Sequence, residues 1–568
     1  MEKILAPQKR GDLIPVKKVY ESGQTFQKTP VENLINGKGM SGRDSKKDTH
    51  VSNKTGENMW LTSGEDLDTI DLVFDFHGTY PIEEMWVWNY NQNHSEYPDL
   101  LKRGLKNIKV FYSLDQHHWT ELKGEGYPYQ LAKADNDDAL EATNLNDGKN
   151  SPIKFDHVLA RFVKISFETT PGVGNWDDRE VGQAYFGLSQ VRFYVGKGLA
   201  AVPSEAWTNM FHRKKGWTGS DGIYSIPFNG YDHPGKAEDT KTIFVFGDTF
   251  IGEVDEATNY RLESNMINNT IGILEGGEPN PDAIKFHWNT DESGKPESVF
   301  VPTTPKGKSV EDSYYWLQDG VSIDGTFYCM PMIIGPNPDG PEGFEFEVHG
   351  VTSVSAPIGE NGLDLKSQTQ LDTPLYYEAD NGKITYFGAG FMPHTEESGV
   401  ENPDGYIYIY GLQKWEITKL VVARVQPEDF TNYSNWEFWD GSSWTSDRKK
   451  AAPISDEVSS ELSVSYMSEG FLAGKYVVVC QLTTKGNEIS VYVGDSPVGP
   501  FLEPTNLYYT AEPEAGNGIY AYNAKAHPHL SKPGELLTSY NVNTTIWQMH
   551  DKDGSIYRPR FITIKQFY

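Results

Sequence analysis

Cysteine is nearly absent from this chain of 568 residues: Cys329 and Cys480 are the only two. Each stands inside an apolar run, TFYCMPMI or KYVVVCQL, where a free thiol packs as a small hydrophobe, so neither a disulfide framework nor a zinc site is expected. Basic residues are scarce as well. Lys and Arg number 50 against 80 Asp and Glu, a net charge of −30. A basic face that could neutralise phosphates is therefore not expected, which argues against nucleic acid as a partner and for a neutral or cationic one. No apolar run approaches the ~20 residues of a membrane-spanning helix, and mean hydropathy is −0.56.

Aromatic residues and turn formers are abundant. The chain holds 14 Trp, 32 Tyr and 27 Phe beside 54 Gly and 33 Pro, a composition that excludes intrinsic disorder and leaves ample chain for several domains. Charge is shared unevenly: residues 1–200 carry 29 acids and 24 bases, residues 201–568 carry 51 and 26. The shift coincides with the small-residue stretch GKGLAAVPSEA, which places a domain boundary near residue 200, between domains 1–200 and 201–568. Both parts read as β, because short apolar or alternating runs are punctuated by Gly, Asn, Asp and Pro and helical periodicity is scarce. In the first part the runs are IDLVFDF (70–76), MWVWNY (85–90), IKVFYS (108–113), RFVKISF (161–167) and QVRFYV (190–195), enough for a β-sandwich. In the second, aromatic-rich strands closed by Gly and a polar turn recur: TIFVFGDTFIG (242–252), GTFYCMPMIIG (325–335), KITYFGAGFM (383–392), GYIYIYGL (405–412), KYVVVCQL (475–482) and ISVYVGDSPVGPF (489–501). That punctuation is the cue of a β-propeller, with five blades as the expectation and four or six also open.

The order ENLINGKGMSG, NMWLTSGEDLDTIDLVFDF, IEEMWVWNYN, RGLKNIKVFYSLDQHHWTEL, ARFVKISF, FGLSQVRFYV resembles the discoidin, or factor V/VIII type C, domain over residues 20–197. The resemblance implies an eight-stranded jelly-roll sandwich related to bacterial carbohydrate-binding modules, with ligand held by loops at one end. It assigns Trp60 and Trp119 to packing and makes Asn91, Arg103, Trp176 and Tyr185 the candidate sugar contacts, since an aromatic face stacks on a sugar while Arg and Asn bond its hydroxyls. It also implies a structural calcium. Asn36 and Gln190 stand where two carboxylates would, which removes the charge that makes a hard-cation site tight, so no cofactor or metal is expected.

In the second part GWTGSDGIYSIPF precedes TIFVFGDTFIG. Ile223–Phe228 and Thr242–Phe246 read as an antiparallel pair, with Asp221 before the first strand and Asp248 after the second, so both carboxylates emerge at one edge. Two adjacent acids repel and separate their proton affinities, as two-carboxylate glycoside hydrolysis requires. Residues 205–568 resemble a group of bacterial five-bladed propeller proteins of unknown function related to the endo-D-arabinanase glycoside hydrolases. The motifs that carry the likeness are SDGIYS, FGDTFIG, LQDGVSIDGTFY, YIYIYGLQ with LVVARV, NWEFWDGSSW and YNAKAHPHLSKPGELLTSYNVN. The resemblance implies that Asp221 and Asp248 are the catalytic pair. Candidate substrate contacts around the same funnel are Trp217, Asn268 or Asn269, Asp319, Glu461 or Glu469, Tyr522, Asn523, His527 and His529.

The expectation is a secreted or cell-surface monomer that cleaves a neutral glycan. The opening MEKILAPQKR has no apolar leader and is read as the start of a mature chain given a new Met. The alternative is a lectin-like protein that captures glycans without cutting them. A lyase or phosphoesterase is disfavoured, because neither a basic anion clamp nor a His/Asp metal cluster is visible in the sequence.

Overall fold

A computed structural model describes residues 6–179, 184–340, 345–360, 362–482 and 486–568. The chain is all-β and divides into two compact units, Met1–Val202 with Lys565–Tyr568, and Pro203–Ile564.

In the first unit, β1 (Trp60–Ser63), β2 (Thr69–Asn89), β3 (Asn107–Ser113), β4 (Ile153–Glu168) and β5 (Tyr185–Val195) pair antiparallel in the order β1-β5-β2-β4-β3. All five runs expected in this part lie on these strands, with Tyr90 one residue past the end of β2. Alternation along β2 sends Ile70, Leu72 and Phe74 inward to meet Val163, Ile165, Phe167 and Phe193, as the two-residue period of a strand requires. Trp60 is buried in that core and its indole N–H donates to Glu21 at 3.0 Å. Trp119 departs from the expectation of burial. It is half-buried, with the Lys164 ammonium 4.8 Å over its ring. Phe567, from the chain's last residues, packs into this core too, a contact with no signal in the sequence.

The second unit is a series of antiparallel sheets. β6 (Lys215–Ser220) pairs with β9 (Thr249–Val254), which pairs with β10 (Arg261–Ile267). β7 (Tyr224–Pro227), β8 (Lys241–Phe246), β11 (Thr270–Glu275) and β12 (Ile284–His287) form the next sheet in that order. They are followed by β13 (Gly320–Ile323), β14 (Thr326–Cys329), β15 (Phe346–Gly359) and β16 (Thr369–Asp372). Then come β17 (Ile384–His394), β18 (Tyr406–Lys414) and β19 (Lys419–Val425), and β20 (Leu462–Met467), β21 (Lys475–Gln481), β22 (Glu488–Gly494) and β23 (Thr505–Tyr509). The last sheet is β24 (Ile519–Ala526), β25 (Leu536–Thr544) and β26 (Pro559–Phe567).

Central strands such as β21, KYVVVCQ, are apolar on both faces because both are covered. Cys329 and Cys480 are buried and unpaired. Two of the runs divide, the first at the turn expected after Phe246 and the second within a single expected strand. TIFVFGDTFIG splits at Gly247–Asp248 into β8 and β9, which join different sheets. GTFYCMPMIIG breaks at Met330–Pro331, since Pro has no N–H for a ladder. Side chains from β7, β13, β17, β20 and β24 border one narrow cavity, among them Ser225, Val321, Phe391, Ser463 and Ala526.

Candidate active site

The acids of the first two sheets meet where the chain changes sheet. β6 and β9 pair with Ser220 opposite Thr249, and β7 and β8 pair with Tyr224 opposite Val245. Asp221 lies between β6 and β7 and Asp248 between β8 and β9, so the two fall side by side. The Asp221 N–H donates to the Asp248 carbonyl at 3.3 Å and the Gly247 N–H to the Asp221 carbonyl at 3.0 Å. Glycine is required at this crossing. Gly222 sits at φ +56°, and a Cβ on Gly247 would stand 2.5 Å from Asp221 Oδ1.

The two carboxyls have different partners. Asp221 Oδ2 accepts from the Tyr522 hydroxyl at 2.8 Å and the Tyr557 hydroxyl at 3.0 Å. Asp248 Oδ1 accepts only longer bonds, 3.3 Å each, from the Asn268 amide and the Trp316 indole. Glu461 completes the cluster. A Cβ on Gly222 would lie 3.5 Å from its Oε1, the Asn523 amide donates to it at 2.9 Å, and it forms an ion pair with Lys525, whose side chain is 0% exposed. The Lys525 ammonium also lies 4.2 Å over the Tyr224 ring.

Burial raises the proton affinity of both aspartates, with Glu461 adding to the rise at Asp221 and Asp221 adding to it at Asp248. Two tyrosine donors and Lys525 oppose the rise at Asp221, so it is the more acidic of the two. Two residues of the cluster hold left-handed backbone, Tyr557 at φ 68° and Asn523 at φ 63°. For a bulky residue such as Tyr557 that is a strained conformation, of the kind that gathers at functional sites.

The other expected residues divide. Tyr522, Asn523 and Glu461 join the acids. Asn268 also joins, in place of Asn269, which is buried with its amide donating to the Phe300 and Tyr315 carbonyls. Trp217 is 1% exposed and stacked 4.6 Å from Phe286 in an aromatic core, so it offers no face to a ligand. His527 is buried between the Ser225 and Ser539 hydroxyls, and desolvation lowers its proton affinity well below that of free histidine. His529 is likewise internal, bonded to Thr242 and Asp232. Asp319 borders the central cavity, where burial raises it to about 8, but its two oxygens accept the Gly320 and Phe391 N–H groups and tie adjacent strands together. Glu469 is exposed. The sequence reading missed Trp316, Lys525 and Tyr557. Trp316 stands one residue before LQDGVSIDGTFY and Lys525 lies within YNAKAHPHL, both motifs already singled out, and Tyr557 has no local signal.

In the first unit, Arg103 and Tyr185 are half-exposed and the guanidinium lies 4.8 Å over the tyrosine ring. The exposed ring of Phe26 stands 5.7 Å from Tyr185. Asn91 is instead buried, its amide donating to the Asp137 carbonyl, and is not available on the surface. Trp176 is half-buried under the Lys106 ammonium. The implied calcium does not fit. Asn36 bonds the Lys38 N–H, and Gln190 lies beside Arg192, 3% exposed, whose guanidinium donates to the Ser45 and Gly42 carbonyls and to Asp48. That internal cation takes up oxygens of the kind a calcium would need. Among the described residues no group of three His, Cys, Asp or Glu could hold a metal ion, and no helix is long and apolar enough to cross a membrane.

These features define an all-β protein with a half-buried acid cluster at a sheet crossing. The chain belongs to the family described as Domain of unknown function (DUF5005), whose model matches residues 204–567. No curated protein matches it. Among solved structures, a candidate hydrolase from Bacteroides ovatus is similar at 19% identity over 64% of this chain and 90% of that one, with a TM-score of 0.50, a likeness of fold. A Streptococcus pneumoniae fucose-binding module matches at 13% identity over 33% of this chain and 96% of its own, TM-score 0.20. The lectin domain of lectinolysin matches at 14% over 32% and 93%, also with a TM-score of 0.20.

Proposed function

We propose that the second unit is a glycoside hydrolase acting on a neutral glycan by a two-carboxylate mechanism, in a secreted, monomeric protein whose first unit binds sugar. The observation that carries this reading is the pair Asp221 and Asp248, adjacent at one crossing and pushed apart in proton affinity. Asp248, the weaker acid in sparsely bonded surroundings, keeps its proton and gives it to the leaving oxygen. Asp221, steadied by two phenols, is the ionised base or nucleophile. The five strands that border one cavity support a five-bladed propeller. The decisive assay is reducing-sugar release from a panel of bacterial, plant and host glycans. If none is cut while binding persists, the lectin-like reading replaces this one.

The half-exposed Arg103–Tyr185 pair supports a sugar site on the first unit. Replacing Arg103 with alanine is expected to weaken glycan pull-down without changing the melting temperature, because a surface arginine rarely carries more than ~1 kcal/mol of stability. Unchanged pull-down would move the site elsewhere. The two units are also proposed to fold separately. Limited proteolysis should then cut near residue 200 and leave both pieces soluble, whereas aggregation of both would reject independent folding.

A further inference from the structure

The loop that follows β25 carries an indole that the acid cluster does not use. Trp547 is 57% exposed and its neighbour Ile546 is 44% exposed, so the loop presents two adjacent apolar side chains to solvent. The loop is fastened to the acids. Tyr522, which donates to Asp221, accepts from the Asn543 amide at 3.4 Å. His550 Nε2 stands 2.8 Å from Asn543 Oδ1, and its Nδ1 lies 3.0 Å from the Trp547 carbonyl. Ring contacts run alongside: Trp547 to His550 at 4.9 Å, and His550 to Tyr557, the second phenol on Asp221, at 5.5 Å. One edge of the indole is thus backed by the His550 ring, and its loop is held near Asp221 through contacts of His550, Asn543 and Tyr522.

We infer that Trp547, with Ile546, forms a ledge on which one sugar ring of a neutral glycan stacks, on the Asp221 side of the acid pair. The inference rests on the hydrolase reading for the kind of ligand and extends it to a subsite. A sugar suits the ledge better than a protein partner does. The apolar area is that of one or two side chains, far below what a stable protein interface buries, while an exposed indole matches the apolar face of a single pyranose or furanose. The acidity of residues 201–568 disfavours an anionic sugar. Trp316 lies on the other carboxyl, half-buried and edge-on to Phe346 at 4.6 Å. A glycan seated on Trp547 would therefore extend past Asp221 toward Asp248, with sugar units on both sides of the bond to be cut.

The test uses the full-length chain and short linear oligosaccharides prepared from arabinan, galactan, xylan and glucan, with tryptophan emission as the readout. Trp547→Phe removes one indole and keeps a ring, so the emission of the unaltered chain minus that of this variant isolates Trp547, whatever the first unit binds. The expected result is a blue shift of this difference emission with at least one oligosaccharide set, together with binding about tenfold weaker in Trp547→Ala and an intermediate loss in Trp547→Phe. A difference emission that responds to none of them, or a folded Trp547→Ala chain that binds as tightly as the unaltered one, overturns the ledge. Neither readout needs a bond to be cut. Binding through Trp547 without release of reducing sugar would reject hydrolysis and keep the ledge, and release of sugar without a Trp547 response would do the reverse.

Discussion

Asp248→Asn is expected to lower turnover on a cleaved glycan by about 10²–10⁴-fold, the usual share of a positioned general acid, while leaving the protein folded. Asparagine keeps the size of the side chain and an acceptor for the Asn268 and Trp316 donors, but it has no proton to give. The pH profile of the unaltered enzyme carries the same assignment. Activity should rise as the pair loses its first proton near pH 6, mainly from Asp221, and fall as it loses the second near pH 8, mainly from Asp248. In Asp248→Asn the alkaline limb should vanish from whatever activity remains.

Stability falls over the pH range in which activity first rises. The folded-state value for Asp248 lies above the ordinary 3.8, at about 8, so between about pH 4 and pH 8 the folded chain holds a proton that the unfolded chain has released. Stability then falls as pH rises through that window. The asparagine variant carries no such penalty, so it should melt at the same temperature as the unaltered chain near pH 4 and at a higher one near pH 8. A variant that is inactive because it is unfolded at pH 8, or one that keeps full activity, would reject the acid role.

How far the sequence leads can be judged at this crossing. SDGIYS and FGDTFIG place both acids at one edge because antiparallel pairing and turn chemistry are local, and the structure sets Asp221 beside Asp248 as that pattern requires. The partners that give each acid its character come from elsewhere in the chain: Trp316 from the segment before β13, Tyr522 from β24, Tyr557 from just before β26. Nothing in a local pattern announces that a tyrosine 336 residues from Asp221 will donate to it. Aromatic residues mislead for a related reason. Trp217 and Trp547 look alike as letters, yet one fills a core of Phe211, Phe246 and Phe286 and the other stands in solvent, and only the packing of distant strands decides which. Histidines in YNAKAHPHL misled in the same way. His527, the residue after β24, lies in the interior, where burial keeps it neutral between two serines. Lys525, on β24 itself, was passed over because lysine reads as a surface residue.

Lys525→Met is expected to cost about 3 kcal/mol of stability, since removing one partner of a buried ion pair leaves the other uncompensated. The ammonium is fully enclosed, while the Glu461 side chain retains 19% exposure, which places the cost at the lower end of the usual range. Methionine fills the same space and preserves contact with the Tyr224 ring, so the loss is chiefly one of charge. The double variant Lys525→Met/Glu461→Gln removes both charges and should recover most of the stability lost in the single one, and a thermodynamic cycle through the four chains would read the coupling directly. The catalytic consequence follows from the neighbours of Asp221. Lys525 lowers its proton affinity and Glu461 raises it, so losing only the cation should push the acid limb of the pH profile to higher pH, and losing both should bring it back. Additive effects of the two substitutions on stability, or an acid limb that stays in place in Lys525→Met, would mean that the pair is a packing feature without influence on the acid cluster.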